Sequence, residues 1–183
     1  MMTSLKDING TYTIDASHSR LGFVARHAMI TKVRGAFVDF EGTASGNGAD
    51  PSTAHVEVTA QAASIDTGSK MRDNHLRSAD FFDVEKYPEV KFVSTEVAVV
   101  DDETLEITGD LTIRDQTRSL TIPFDFTGAI TDGFGNKRIG FEGTLPISRK
   151  DFGLTWNKAV EAGGVTVGDK VVLEIEISAI EQE

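Results

Sequence analysis

Apolar and polar residues alternate with period two along most of the chain. In residues 53–64, Ala54, Val56, Val58, Ala60 and Ala62 share one side, and His55, Glu57, Thr59 and Gln61 the other. Leu105, Ile107, Gly109, Leu111 and Ile113 repeat the pattern in 104–113. Leu120, Ile122, Phe124, Phe126, Gly128 and Ile130 form a row in 118–130, and Ile139, Phe141, Gly143, Leu145 and Ile147 another in 138–149. Val171, Leu173, Ile175, Ile177 and Ala179 complete the set, with weaker alternation over 11–15, 19–27, 33–44 and 90–99. This is the spacing of strands with one face buried and one wet. Gly46-Asn47-Gly48, Asp101-Asp102-Glu103, Asp115-Gln116, Asp132-Gly133 with Gly135-Asn136, and Gly163-Gly164 supply turns between them.

The pattern predicts an all-β meander of antiparallel hairpins. One open sheet of so many strands leaves its apolar face bare, so the chain must form a sandwich or close into a barrel. Gly109, Gly128 and Gly143 stand at inward positions, where glycine permits a bend or leaves interior room. That favours the barrel. Without internal repeats, low-complexity tracts or a linker, residues 1–183 are expected to form one domain.

Residues 69–92, SKMRDNHLRSADFFDVEKYPEVKF, break the alternation. Met71, His75 and Leu76 recur near helical spacing, with Thr67 or Ser69 as N-cap. A second short turn is expected from Ser78 or Asp80, carrying Phe81 and Phe82, and Pro88 ends the stretch.

Composition narrows the function. The net charge of −11 repels polyanions, so nucleic acid is not an expected partner. The absence of cysteine removes disulfides, thiolate metal sites and thiol catalysis. The N-terminus MMTSLKDINGTYTID lacks the apolar run of a secretory signal, and nothing approaches the ~20 apolar residues of a membrane helix. A cytoplasmic location is therefore the expectation.

Candidate chemistry is sparse. Asp15, His18 and Ser19 adjoin in sequence without a Gly-x-Ser-x-Gly elbow, so a hydrogen-bonded turn outweighs a triad. His18, His27, His55 and His75 form no metal-spaced pair, and no metal is expected. Arg72 and His75 share a helix side and, with Lys70 and Arg77, suit an anion; equally, Arg72 and Asp73 suit bonds that tie the segment down. Arg149 continues the inward row from Ile139 to Ile147. It therefore needs a carboxylate, carbonyls or a ligand, unless the strand has already ended. Phe81, Phe82, Tyr87, Phe92 and Phe152 either fill a core or line a cavity.

Ordered motifs run through the chain: YTID followed by His18-Ser19; Phe23 with His27; GAF and FEG (35–37, 40–42); SIDTG (64–68); RDNHL (72–76); SADFFD (78–83); Tyr87-Pro88; GDLTI (109–113); and ISRKDFGL (147–154). In this order and spacing the chain resembles the YceI family of lipocalin-like polyisoprenoid-binding proteins, over about 11–178. The resemblance implies an extended eight-stranded antiparallel lipocalin-like β-barrel with a short helical crossover and an apolar tunnel. It implies a non-enzymatic binder, carrier or store of an isoprenoid lipid, either a polyprenyl phosphate or an isoprenoid quinone. No cofactor is required beyond that lipid, and a homodimer is left open. Candidate ligand contacts are Phe23, His27, Phe40, Arg72, His75, Phe81, Phe82, Phe92, Phe124, Phe141, Arg149 and Phe152. Arg72 and His75 would meet the headgroup, and Phe81 and Phe82 would plug the lining. The alternatives are an enzyme using His18, His27 or His75 on a small amphiphile, and a stress-response interaction module with a filled barrel.

Overall fold

The computed structural model describes residues 4–158 and 167–182. It contains β1 (Asn9–Ile14), β2 (Arg20–His27), β3 (Thr31–Phe37), β4 (Phe40–Asn47), β5 (Asp50–Gln61), β6 (Ile65–Asp66), α1 (Lys70–Arg77), β7 (Glu89–Val99), β8 (Thr104–Ile113), β9 (Gln116–Thr131), β10 (Lys137–Ser148) and β11 (Val167–Glu181). The order β1-β4-β5-β7-β8-β9-β10-β11 closes when β11 returns to β1, giving an eight-stranded antiparallel barrel. Closure leaves the ring without an edge strand.

β2, β3 and β6 prolong strands of that ring. β11 pairs with β1 through Ile14↔Ala179 and, further back, with β2 through Leu21↔Ile175. The predicted continuous strand 33–44 is two strands, β3 and β4, which part at Val38-Asp39. β3 pairs with β2, and β4 with β1. The β1–β2 break is a single 3₁₀ turn at Ala16–His18. There the Asp15 carboxylate accepts from Ser17 N–H and His18 Nδ1 and meets Arg138 Nη1 at 2.8 Å. This is the hydrogen-bonded turn expected from Asp15, His18 and Ser19. The Gly163-Gly164 turn lies outside the described residues.

One inward row needs correction. Gly140 pairs with Gly128 but Phe141 with Phe126, so Thr127 is an extra residue in β9. Such a bulge reverses the facing of everything beyond it. Ala129 packs on the core, and Ile130, expected inside, is 64% exposed.

α1 is capped by Ser69, whose hydroxyl accepts from Arg72 N–H. Its buried residue is Asp73, whereas Met71, which shares the helical spacing with His75 and Leu76, is exposed. Asp73 replaces an apolar anchor because its Oδ1 accepts from both Thr67 N–H and Thr67 Oγ1. The expected second helical turn is a chain of tight turns: Asp83 N–H bonds Ser78 O, and Tyr87 N–H bonds Asp83 O.

Candidate ligand-binding cavity

The inward rows surround an apolar cavity of about 280 Å³ that is not filled by side chains. Its wall includes Ile14, Leu21, Phe23, Phe37, Val58, Phe92, Leu105, Ile122, Phe124, Phe141, Ile175 and Ile177. Lys91 is the one charged residue of the lining among the described residues. No His, Asp or Glu of those residues lines it. Burial pushes the Tyr12 phenol up, and Glu181 adds to the effect, so this lining hydroxyl stays neutral.

Three glycines keep large rings from filling the space. A Cβ on Gly35 would lie 2.5 Å from the Phe23 ring, one on Gly109 2.5 Å from Phe92, and one on Gly143 2.7 Å from Phe124. Gly35 and Gly143 sit directly across from their phenylalanines. Each ring therefore lies against a neighbouring backbone, and the wall is aromatic without crowding the lumen. Gly109 and Gly143 thus leave room, as expected of inward glycines, while Gly128 serves the bulge with φ +143.

One end is stoppered by a segment that the strand pattern missed. Leu5, 3% exposed, and Ile8 line the cavity from a 3₁₀ turn at Leu5–Asp7. Leu5 N–H donates to Asp102 O, and Gly48 N–H to Ile8 O. Ser4 and Asp7 form a capping box, and Ser-x-x-Asp was the available sequence sign of this turn. The other end is packed by Leu111, Ile113, Phe152 and Leu154, with Phe82 beside them. Phe82 meets the lining residue Phe37 edge-on at 5.5 Å, so the crossover abuts the wall.

Four of the twelve expected contacts, Phe23, Phe92, Phe124 and Phe141, line the cavity. Phe40 packs on the lining residues Ile14 and Ala60 without itself lining the cavity, and Phe152 is wholly buried in the end cluster. Phe81 packs on His75 and Trp156. His27 is exposed at the end of β2.

The polar candidates lie apart from the cavity lining. Arg72 bonds Thr67 Oγ1 and Thr67 O, both at 2.6 Å. His75 Nε2 pairs with Asp80 at 2.8 Å, while its ring stands edge-on to Trp156. His18 and His55 pair at the surface with Asp15 and Glu57. Arg149 meets carbonyls, one of the outcomes that the sequence allowed. Nε donates to Gly168 O, Nη1 to Leu154 O and Trp156 O, and Nη2 to Val167 O, at 2.5–3.2 Å. It is 4% exposed, and burial lowers its pKa while Asp169 opposes that. The row from Ile139 therefore ends at Ile147, because the chain turns into a 3₁₀ segment at Arg149–Phe152.

The lining suits a long hydrocarbon and offers little for acid–base chemistry, which needs a titratable group within hydrogen-bond reach of the reacting atoms. No helix of the described residues is long and apolar enough to cross a membrane.

Comparison with known proteins agrees with this architecture. A UPF0312 protein of Pseudomonas syringae pv. syringae is 39% identical over 145 residues, spanning 78% of this chain and 76% of that protein. The crystal structure of Burkholderia cenocepacia BcnA superposes with a TM-score of 0.79 at 25% identity, covering 90% of this chain and 98% of BcnA. A Saccharophagus degradans domain, described as polyisoprenoid binding and implicated in plant cell wall breakdown, shares the fold. Its TM-score is 0.72 at 16% identity, over 93% of this chain and 98% of that one. The YceI-like domain family matches residues 12–179, and the chain belongs to that family.

Proposed function

We propose that this protein binds a long isoprenoid lipid, a polyprenyl phosphate or an isoprenoid quinone, with its tail inside the barrel, and carries or stores it without chemical change. The observation that carries this reading is the lumen: apolar, unfilled, and lined by one charged residue among those described. At about 280 Å³ it lies near the lower end of the usual range for ligand sites, ~300–1,000 Å³. Buried hydrocarbon realises roughly 0.3 kcal/mol per heavy atom in ligands of this size. A tail of several isoprene units therefore dominates the affinity, and the headgroup orients it. The Saccharophagus domain supports the reading at the level of the fold only.

The test is lipid extraction from protein purified from its own host, followed by mass spectrometry and by uptake assays with added polyprenyl phosphate and quinone. An isoprenoid is expected in the extract or after loading. An extract without isoprenoid, together with failed uptake of both lipids, overturns the proposal.

A further inference from the structure

Residues 16–38 contain no Asp or Glu, in a chain whose net charge is −11. They carry Arg20, Arg26, Lys32 and Arg34, and they fold into the β2–β3 ribbon. The register places Arg26 directly opposite Lys32, and Arg34 opposite Val24. Side chains alternate between faces along a strand, so Arg26, Lys32 and Arg34 project from one face of the ribbon. All three are exposed, and among the described residues none lies in an ion pair. Like charges directly across a ladder repel, so Arg26 and Lys32 favour an anion that bridges them.

The acids nearest in register do not cancel this patch. Glu174 and Glu176 of β11 lie opposite Gly22 and Arg20, and Asp66 of β6 lies opposite Ala36, all at the far end of the ribbon from its tip. Asp169 is occupied by Ser148 Oγ at 2.6 Å and Lys150 N–H at 3.2 Å.

The tip adds a second, independent feature. Met29 and Ile30 are 64% and 76% exposed. Ala28 and Met29 hold φ of +51 and +60, a left-handed geometry that glycine or asparagine adopts more cheaply. An apolar tip is thus presented to solvent at a conformational cost, flanked by cations.

We infer that the β2–β3 ribbon docks on an anionic lipid membrane, with Met29 and Ile30 entering the interface and Arg26, Lys32 and Arg34 meeting lipid phosphates. An apolar tip with basic flanks fits the charge and polarity gradient of such a surface. The overall negative charge does not forbid it, because fields fade beyond ~8 Å at physiological salt. The inner face of the same ribbon supplies Leu21, Phe23 and Phe37 to the cavity. On its far side, among the described residues, β3 is paired only at Ala36 and Phe37, by β6. Docking therefore brings the cavity wall with the least-paired strand against the bilayer, a route for a tail to pass. That route rests on the lipid reading above; the docking itself does not.

The experiment is vesicle co-sedimentation of the full chain with phosphatidylcholine vesicles and with mixed phosphatidylcholine–phosphatidylglycerol vesicles, neither containing isoprenoid. Binding to the mixed vesicles alone is expected, with release as salt rises. R26Q/K32Q/R34Q is expected to weaken it about a hundredfold, from roughly 1 kcal/mol per basic residue. Met29→Ser with Ile30→Ser is expected to weaken it by at least about tenfold. No binding to mixed vesicles, equal binding to both kinds, or salt-insensitive binding of the unaltered protein overturns the inference whatever the variants do. Capture by an acidic peptide at the strength seen with vesicles overturns it in favour of a protein partner. Because the vesicles lack isoprenoid, failure here leaves the cargo assay standing, and an empty barrel leaves this assay standing.

Discussion

In the barrel wall, Phe23, Phe92 and Phe124 lie over Gly35, Gly109 and Gly143 and leave an apolar space in front of them. In the crossover between β6 and β7, Arg72, Asp73 and Arg77 spend their polar atoms on Thr67, Ala63 O and Ile65 O. The chemically richer region is thus the one whose donors and acceptors are already satisfied, while the chemically plainer region keeps space for a ligand. Residue type draws attention to the crossover. These bonds tie the segment to the strand end before it, and at buried Asp73 a carboxylate left unpaired would cost about 1–3 kcal/mol or more. Arg149 follows the same rule, tying Leu154, Trp156, Val167 and Gly168 together through their carbonyls.

The largest effect expected from breaking this division is at Arg149. Arg149→Ala strands its buried carbonyls and should cost about 3–5 kcal/mol in urea denaturation. Arg149→Lys should recover only part, because one ammonium cannot reproduce the guanidinium fork. Unchanged stability in Arg149→Ala would show that the tether carries no weight.

Next comes the wall. Gly109→Val places a Cβ 2.5 Å from the Phe92 ring and 2.6 Å from Val93 O, and should cost about 1–3 kcal/mol. It also drives the ring into the lumen, so uptake of a polyprenyl lipid should fall more than stability does. Uptake at the original level in a folded variant would mean that the glycines do not keep the lumen open.

The third test concerns the clamp that reaches from Asp15, just after β1, across β11 to Arg138 of β10. Ser17 and Arg138 hold the Asp15 carboxyl well below the usual carboxylate range, and Arg138 holds Asp132 down to about 2. Both pKa values are depressed on folding. Their contribution is therefore present above the ordinary carboxylate pKa of ~4 and is lost as pH falls from there toward 2. Circular dichroism against pH should show acid unfolding across this window. Arg138→Met should flatten the loss and lower stability at neutral pH. An identical acid profile in the variant would show that the clamp does not set the acid stability.

Smallest is Arg72→Ala. Its guanidinium serves Thr67 on an exposed surface, so the loss should stay within about 1 kcal/mol. Lipid uptake and headgroup preference should not change. A changed preference would restore the crossover as a headgroup site and blur the contrast between wall and lid.

Much of the wall is legible from alternation. Period two places Leu105, Leu111, Ile113, Ile122, Phe124, Ile139, Phe141, Ile175 and Ile177 on shared faces, and all of them line the cavity. The row breaks at Ile130, because a bulge at Thr127 inserts one residue and its one local sign, Gly128, reads equally as an inward glycine. The stopper at Leu5 escaped because two apolar residues in a short turn make no periodic sign. The need of Arg149 for partners is legible from its place in the inward row, but which partners is not, because the carbonyls it meets lie 5 to 19 positions further along the chain, with the Arg149–Phe152 turn between.

The sequence by itself determined an all-β meander with one apolar face, because a period of two fixes which side chains share a face whatever the strand pairs with. Only the tertiary structure decided that the ring closes between β1 and β11, that rings pack over glycines and leave a lumen, and that Arg72, His75 and Arg77 of the crossover bond groups of the protein itself. Those outcomes depend on contacts between residues far apart in the chain, and the alternation within a strand carries no information about them.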